Sequence, residues 1–187
     1  MKKIKVKIKG TSPLLMNQYN VEAELERQKG KRINKRYDPT EEARKAAYFS
    51  SKGKKELIIP AMVIYRAILG ASSFHKIGKR SAKSILAGSL RIQDLDGGEE
   101  IRLGTDKYDI DTRPVVIQRS RVLKSRARLD SWEASFYIIY NDNLIAEAEI
   151  IKTVLEETGL RIGLMDFRPT NGGWYGCFEV TGWKEVN

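Results

Sequence analysis

One cysteine, Cys177, leaves the chain no internal disulfide, no CxxC pair and no thiolate cluster for zinc. One histidine, His75, excludes a two-histidine metal site within a single chain and confines any Ser-His-Asp triad to that residue. No run approaches 18 apolar residues, and the opening MKKIKVKIKG has no uninterrupted apolar segment of the kind a secretory leader needs. The expectation is a cytoplasmic protein with no membrane partner, no metal and no cofactor. What the chain does have is bulk and charge. Its 187 residues suffice for one domain with a real core, and 41% hydrophobic with 31% charged residues excludes both a membrane-embedded and a depleted, disordered chain. Lysine and arginine total 34 against 24 acids, a net +10 that directs attention to an anionic partner.

The positive charge is local. Residues 1–55 hold 16 bases and 6 acids, residues 56–95 hold 6 and 2, and residues 113–130 hold 6 and 1. Residues 96–112 and 131–187 are net acidic. Such segregation is either a solvated surface or the footprint of a polyanion.

Residues 3–9 (KIKVKIK) alternate strictly, the pattern of a half-buried strand with isoleucine and valine inward and lysine outward. The lysines either protect a sheet edge or meet phosphates. Residues 10–56 read as a basic insertion, with a turn at GTSPLLMN, the charged stretch 22–36, and a short helix opened by Asp38 and Pro39. A core-facing helix is expected over 61–74. It runs into HKIGKRSAKS, where Lys76, Lys79, Arg80 and Lys83 beside glycine suit phosphate contact although no GxxxxGK[ST] loop is present. RIQDLDGGEEIRLG reads as a hairpin-like decoration turning at Gly97 and Gly98. Strands are expected over 115–123 and 132–140, joined by KSRARLDS. Arg119, Arg121, Lys124, Arg126 and Arg128 then crowd one hairpin, which is either a solvated tip or a phosphate-binding finger. A helix over 146–158 stops at Gly159, and a strand over 176–183 closes the chain.

Stripped of insertions at about 11–56 and 90–112, the order is βαββαβ. The expected class is α+β: a single domain, 1–187, built as a ferredoxin-like (RRM-like) sandwich with a basic insertion after strand 1 and a long basic hairpin between core strands 2 and 3. Helices would cover one sheet face and leave the other open, the face on which RNA-recognition domains of this architecture place bases.

Between the last helix and the last strand stands GLRIGLMDFRPTNGGWYGCFEV. It resembles the glycine-rich loop of the CRISPR-associated RAMP (repeat-associated mysterious protein) superfamily, most like the backbone-subunit branch. MKKIKVKIKGTSPLLMN resembles the first strand and following turn of that superfamily, and IIPAMVIYRAIL the start of its first helix. The loop departs from the plainer superfamily pattern in carrying Asp166 and Arg168. The resemblance implies single-stranded RNA binding through this loop and a basic groove, by a guide-RNA-binding backbone subunit of an antiviral CRISPR-type ribonucleoprotein that assembles with copies of itself or other subunits. It further implies that the inserted hairpin, residues 119–131 here, serves as a thumb between guide bases. The residues agree on physical grounds. Gly172, Gly173 and Gly176 allow close backbone approach, Arg168 can pair with phosphate, and Trp174 and Tyr175 offer stacking surfaces. The plainer alternatives are burial of both aromatics under the last strand and an Arg168–Asp166 ion pair.

Some members of the superfamily are metal-independent endoribonucleases that use a histidine as general acid or base. His75, among Lys76, Lys79 and Arg80, is the one candidate. Tyr65, Ser81 and Ser84 supply no second proton donor at convincing spacing. Asp109 with Asp111, and Glu99 with Glu100, read as charge balance more readily than as metal ligands. The leading reading is a non-catalytic single-stranded RNA binder. A processing endoribonuclease using His75, a phage-encoded mimic or interaction subunit that ignores nucleic acid, and a single-stranded DNA binder remain as alternatives.

Overall fold

The structure, a computed structural model, describes residues 1–19, 21, 25, 28–29, 37–117 and 119–186; nearly all of the charged stretch 22–36 lies outside the described residues. The alternation at the start becomes β1 (Lys2–Gly10), with Ile4, Val6 and Ile8 wholly buried and Lys5, Lys7 and Lys9 exposed. After β2 (Leu14–Met16), α1 (Pro39–Ala46) begins where the Asp38 carboxylate accepts the Thr40 and Glu41 amides at 2.8 and 3.3 Å. β3 (Ile58–Pro60) leads directly into α2 (Ala61–Ser72). A two-rung hairpin, β4 (Lys76–Ile77) with β5 (Arg80–Ser81), precedes α3 (Ala82–Ser89), β6 (Leu90–Gln93) and β7 (Glu100–Arg102). The long hairpin β8 (Asp109–Ile117) and β9 (Ser120–Leu129) follows, then β10 (Glu133–Tyr140), α4 (Glu149–Glu157), a π-helical turn (Thr158–Ile162) and β11 (Phe178–Val186).

The fold is α+β with antiparallel sheets. The main sheet runs β11-β1-β10-β6, every neighbour antiparallel. Ile64 and Ile68 of α2 and Ile151, Val154 and Leu155 of α4 share one buried cluster with Ile4, Val6, Ile8, Phe136 and Ile138 of the sheet. Each such side chain contributes about 1.5–3 kcal/mol by leaving water. β1 is flanked on both sides, so its lysines do not protect an edge.

Residues 115–123 do not form the second strand of this sheet, contrary to expectation. The place beside β10 belongs to β6, whose Leu90 and Ile92 are buried, whereas Val116, Val122 and Leu123 are exposed. Arg119, at φ 68°, instead sits in the turn between β8 and β9. Of KSRARLDS, residues 124–129 are likewise strand, and only 130–131 turn toward β10. Ser125, Ala127 and Leu129 point inward, a period-two pattern disguised by the cations between them. RIQDLDGGEEIRLG is not a hairpin, because β6 pairs with β10 and β7 pairs with β3.

The long hairpin makes a second sheet, β2-β9-β8. β2 pairs with residues 127–129 and stops; one step further the Ser125 amide donates to Glu42 of α1 at 2.7 Å, so a carboxylate continues the ladder. Tyr37 and Thr112 hydroxyls meet the buried Ser125 hydroxyl at 2.6 and 2.7 Å. The root of the hairpin is therefore held firmly, while its distal third stands clear of the body with Val116 and Leu123 exposed.

Candidate nucleic-acid interface

The glycine-rich loop leaves the π turn at Gly163 (φ 71°) and is laced to the segment after β1. Gly176 N–H donates to Pro13 O at 2.8 Å, Asp166 N–H to Leu15 O at 2.9 Å, Thr11 N–H to Cys177 O at 2.9 Å, and Cys177 N–H to the Ser12 hydroxyl at 2.9 Å. Two of the three stretches that carry the family resemblance thus meet in space. Two of the glycines serve this packing rather than a ligand. A Cβ on Gly173 would stand 1.8 Å from Phe167 O, and one on Gly176 2.0 Å from Leu164 O. Gly172 differs: at φ 77° it has open space around it.

Trp174 is 64% exposed and Tyr175 only 2%. Their rings stack at 6.0 Å and 17°, with Phe167 tilted against both. Tyr175 alone is buried, between the loop aromatics and Arg113 of β8, and Trp174 presents an exposed ring. Arg113 donates to the Tyr175 hydroxyl and, through Nε and Nη2 at 3.0 and 2.8 Å, to Asp111. The Asp111 hydrogen bond holds the Arg113 guanidinium above its ordinary pKa. Arg113 had no place among the sequence candidates. The signal was there, since Asp109, Asp111 and Arg113 alternate along β8 and must share the face that meets the loop.

The hairpin cations divide into two groups. Arg126 Nε lies 2.8 Å from Asp166 in the loop, a charge contact without good hydrogen-bond alignment. Arg128 pairs with Asp130 at 2.6 Å and approaches Asp111 at 3.7 Å, and Lys124 pairs with Glu42 at 3.2 Å. Arg119 and Arg121, near the turn, are exposed and have no ion-pair partner among the described residues. Local counting saw one acid in this segment; Asp111, Asp166 and Glu42 arrive from elsewhere in the chain. Burial, with the Asp166 carboxylate nearby, raises the Tyr48 hydroxyl above its usual range. Arg168 does not pair with Asp166; its Nε donates to Thr170 Oγ1 at 2.9 Å and its Nη1 to Met165 O at 3.0 Å.

Lys76, Lys79, Arg80 and Lys83 are all exposed on the β4–β5 turn and the first turn of α3. The last turn of α2 lies against the π turn, where a Cβ on Gly70 would meet Ile162 at 3.5 Å, and the Arg161 guanidinium covers the exposed Phe74 ring at 4.2 Å. His75 Nε2 is enclosed without a hydrogen-bond partner. The groups considered as its helpers are engaged elsewhere: Tyr65 donates to Ala87 O and Ser84 to Ser81 O. Glu100 accepts from the Ser51 hydroxyl and amide, which lower its pKa. Among the described residues no group of three or more His, Cys, Asp or Glu is placed to hold a metal ion. No described helix is long and apolar enough to cross a membrane.

No family model and no curated protein matches the sequence. The fold is similar to that of a protein chain in the cryo-EM structure of the type III-B Cmr-beta complex bound to cognate target RNA, with a TM-score of 0.57 at 16% identity. The match covers 100% of this chain and 61% of that one, so the present chain spans about three fifths of its neighbour's length.

Proposed function

We propose that the protein binds single-stranded RNA as a RAMP-like subunit of a CRISPR-type ribonucleoprotein, on a ferredoxin-like core whose second strand is β6. The observation that carries this reading is the convergence of the turn after β1, the glycine-rich loop and the hairpin root, with Trp174 exposed where they meet. An exposed ring held by the loop offers any base a stacking surface, and Arg119, Arg121, Lys76, Lys79, Arg80 and Lys83, exposed and without an ion-pair partner among the described residues, supply cations for phosphate. The likeness to a chain of an RNA-bound Cmr-beta complex supports the same reading. Gly172 and Arg168 border this surface; Gly173, Gly176 and Tyr175 shape it from beneath. Free Cys177 suits a reducing compartment such as the cytoplasm.

The test is fluorescence anisotropy with a labelled single-stranded RNA. Binding that weakens with added salt and drops on Trp174→Ala supports the proposal. No binding at low salt, or a Trp174→Ala variant that binds as tightly as the parent, removes it. A DNA strand of the same sequence shows whether the 2′-hydroxyl contributes.

A further inference from the structure

The lysines of β1 are not all explained by contacts within the fold. They are not edge protection, because β11 and β10 pair with both sides of the strand. They line the sheet face opposite the helices, with same-face residues about 6.8 Å apart along the strand. In register across the sheet, Lys5 stands directly opposite Lys184, and Arg91 lies in the same row as Lys3. Like charges directly opposite repel, and these two rows contain no acid. Further along, Lys7 pairs with Glu133 at 2.7 Å, and Lys9 lies between Glu133 and Glu179 in register, so the acids close the Gly10 end. Lys5, Lys184 and Arg91 are exposed, with no ion-pair partner among the described residues.

Two partners have the right sign: an acidic protein surface and a nucleic-acid backbone. Protein interfaces are built on buried aromatic or aliphatic anchors and are poor in lysine at their centres. Here the central aromatic ring, Tyr137, is half-buried and covered by the Lys3 ammonium at 3.7 Å. Ile139 and Val186, which share the Lys3 row, are also only partly exposed, so the face presents amines ahead of any apolar anchor and fits a phosphate chain. We infer that this face, centred on Lys5 and Lys184, is a second contact for the sugar–phosphate backbone of single-stranded RNA, distinct from the glycine-rich loop. The inference rests on the RNA-binding reading above. Ammonium groups sense charge and not base identity, so the contact is independent of sequence.

The experiment compares Lys5→Ala/Lys184→Ala, Lys5→Arg/Lys184→Arg and Trp174→Ala with the parent, titrating a labelled polyuridine RNA over a range of salt. Loss of two phosphate contacts reduces the slope of log affinity against log salt by about 1.4 and weakens low-salt binding about tenfold. The arginine variant keeps the parental slope, and Trp174→Ala weakens binding without changing it. If Lys5→Ala/Lys184→Ala keeps both slope and affinity while Trp174→Ala weakens binding, the sheet contact is wrong and the RNA reading stands. If the parent binds no RNA, both fall. If the alanine pair alters only self-association, seen by size-exclusion chromatography, the face belongs to a protein partner and the inference is overturned.

Discussion

Arg126 of β9 and Asp166 of the glycine-rich loop lie 2.8 Å apart, joining the long hairpin to the loop through side chains only 12% and 25% exposed. A charge so enclosed is costly to leave alone. Arg126→Ala or Asp166→Asn is expected to destabilise the protein by about 2–3 kcal/mol, a fall in Tm of about 4–10 °C. A double variant should cost much less than the sum of the two. An Arg126→Ala protein with parental Tm but weak RNA binding would mean that the arginine contacts phosphate and holds nothing.

Trp174 and Tyr175 are neighbours with opposite duties. Trp174→Ala should leave Tm within about 2 °C, because its ring is already in water, while RNA affinity falls by about 1–3 kcal/mol. Tyr175→Phe should do the reverse: it loses the Arg113 hydrogen bond, costing about 1 kcal/mol of stability, and leaves the exposed ring in place. Equal effects of both changes on RNA binding would contradict this division.

The cations near the hairpin turn should behave unlike those at its root. Arg119→Gly with Arg121→Ala keeps the turn, since glycine accepts the positive φ at 119. Its expected signature is unchanged Tm, weaker RNA binding and a shallower salt dependence, by about 0.7 per lost contact. Lys124→Ala acts on the pairing with Glu42 of α1 and should lower Tm instead. Circular dichroism melts run beside anisotropy titrations separate the two groups.

His75 offers a direct check on the endoribonuclease alternative. With Nε2 enclosed and the Tyr65 and Ser84 hydroxyls hydrogen-bonded elsewhere, His75→Ala is expected to leave RNA equally intact in EDTA. Cleavage by the parent that vanishes in the variant would establish the enzyme and displace the binding-only reading.

Asp94 and Asp96 flank Arg102 and titrate in opposite directions. Burial raises Asp94, whereas the Gly98 amide and Arg102 lower Asp96. A raised folded pKa stabilises below the unfolded value, and that contribution is lost as pH rises through the folded one. Asp94→Asn should therefore compare least favourably with the parent near pH 3 and progressively better toward pH 7. Urea melts across that range test the trend; a penalty that grows with pH would show that Asp94 is stabilised in its charged form.

Much of the fold could be read from local pattern. The alternation in β1, the Asp38 cap and the period of α2 and α4 each follow from side chains within one element. β6 was hidden because four residues give too little alternation to distinguish a core strand from a hairpin arm. β9 was hidden because Lys124, Arg126 and Arg128 are charged, and charge in a run suggests solvent when neither partner strand nor ion-pair partner is known.

By itself the sequence determined the inward face of β1, the start of α1 at its Asp38 cap, and that positive charge gathers in the first strand, the insertion and the hairpin. Only the tertiary structure decided which of those charges are free. Asp166, Asp111 and Glu42 reach Arg126, Arg128 and Lys124 across distances in sequence that no local reading spans, neutralising the hairpin root. Lys5 of β1 and Lys184 of β11, lysine opposite lysine inside the sheet, receive no such partner among the described residues. Pairing is a three-dimensional property, so net charge became a location only when the strands were placed.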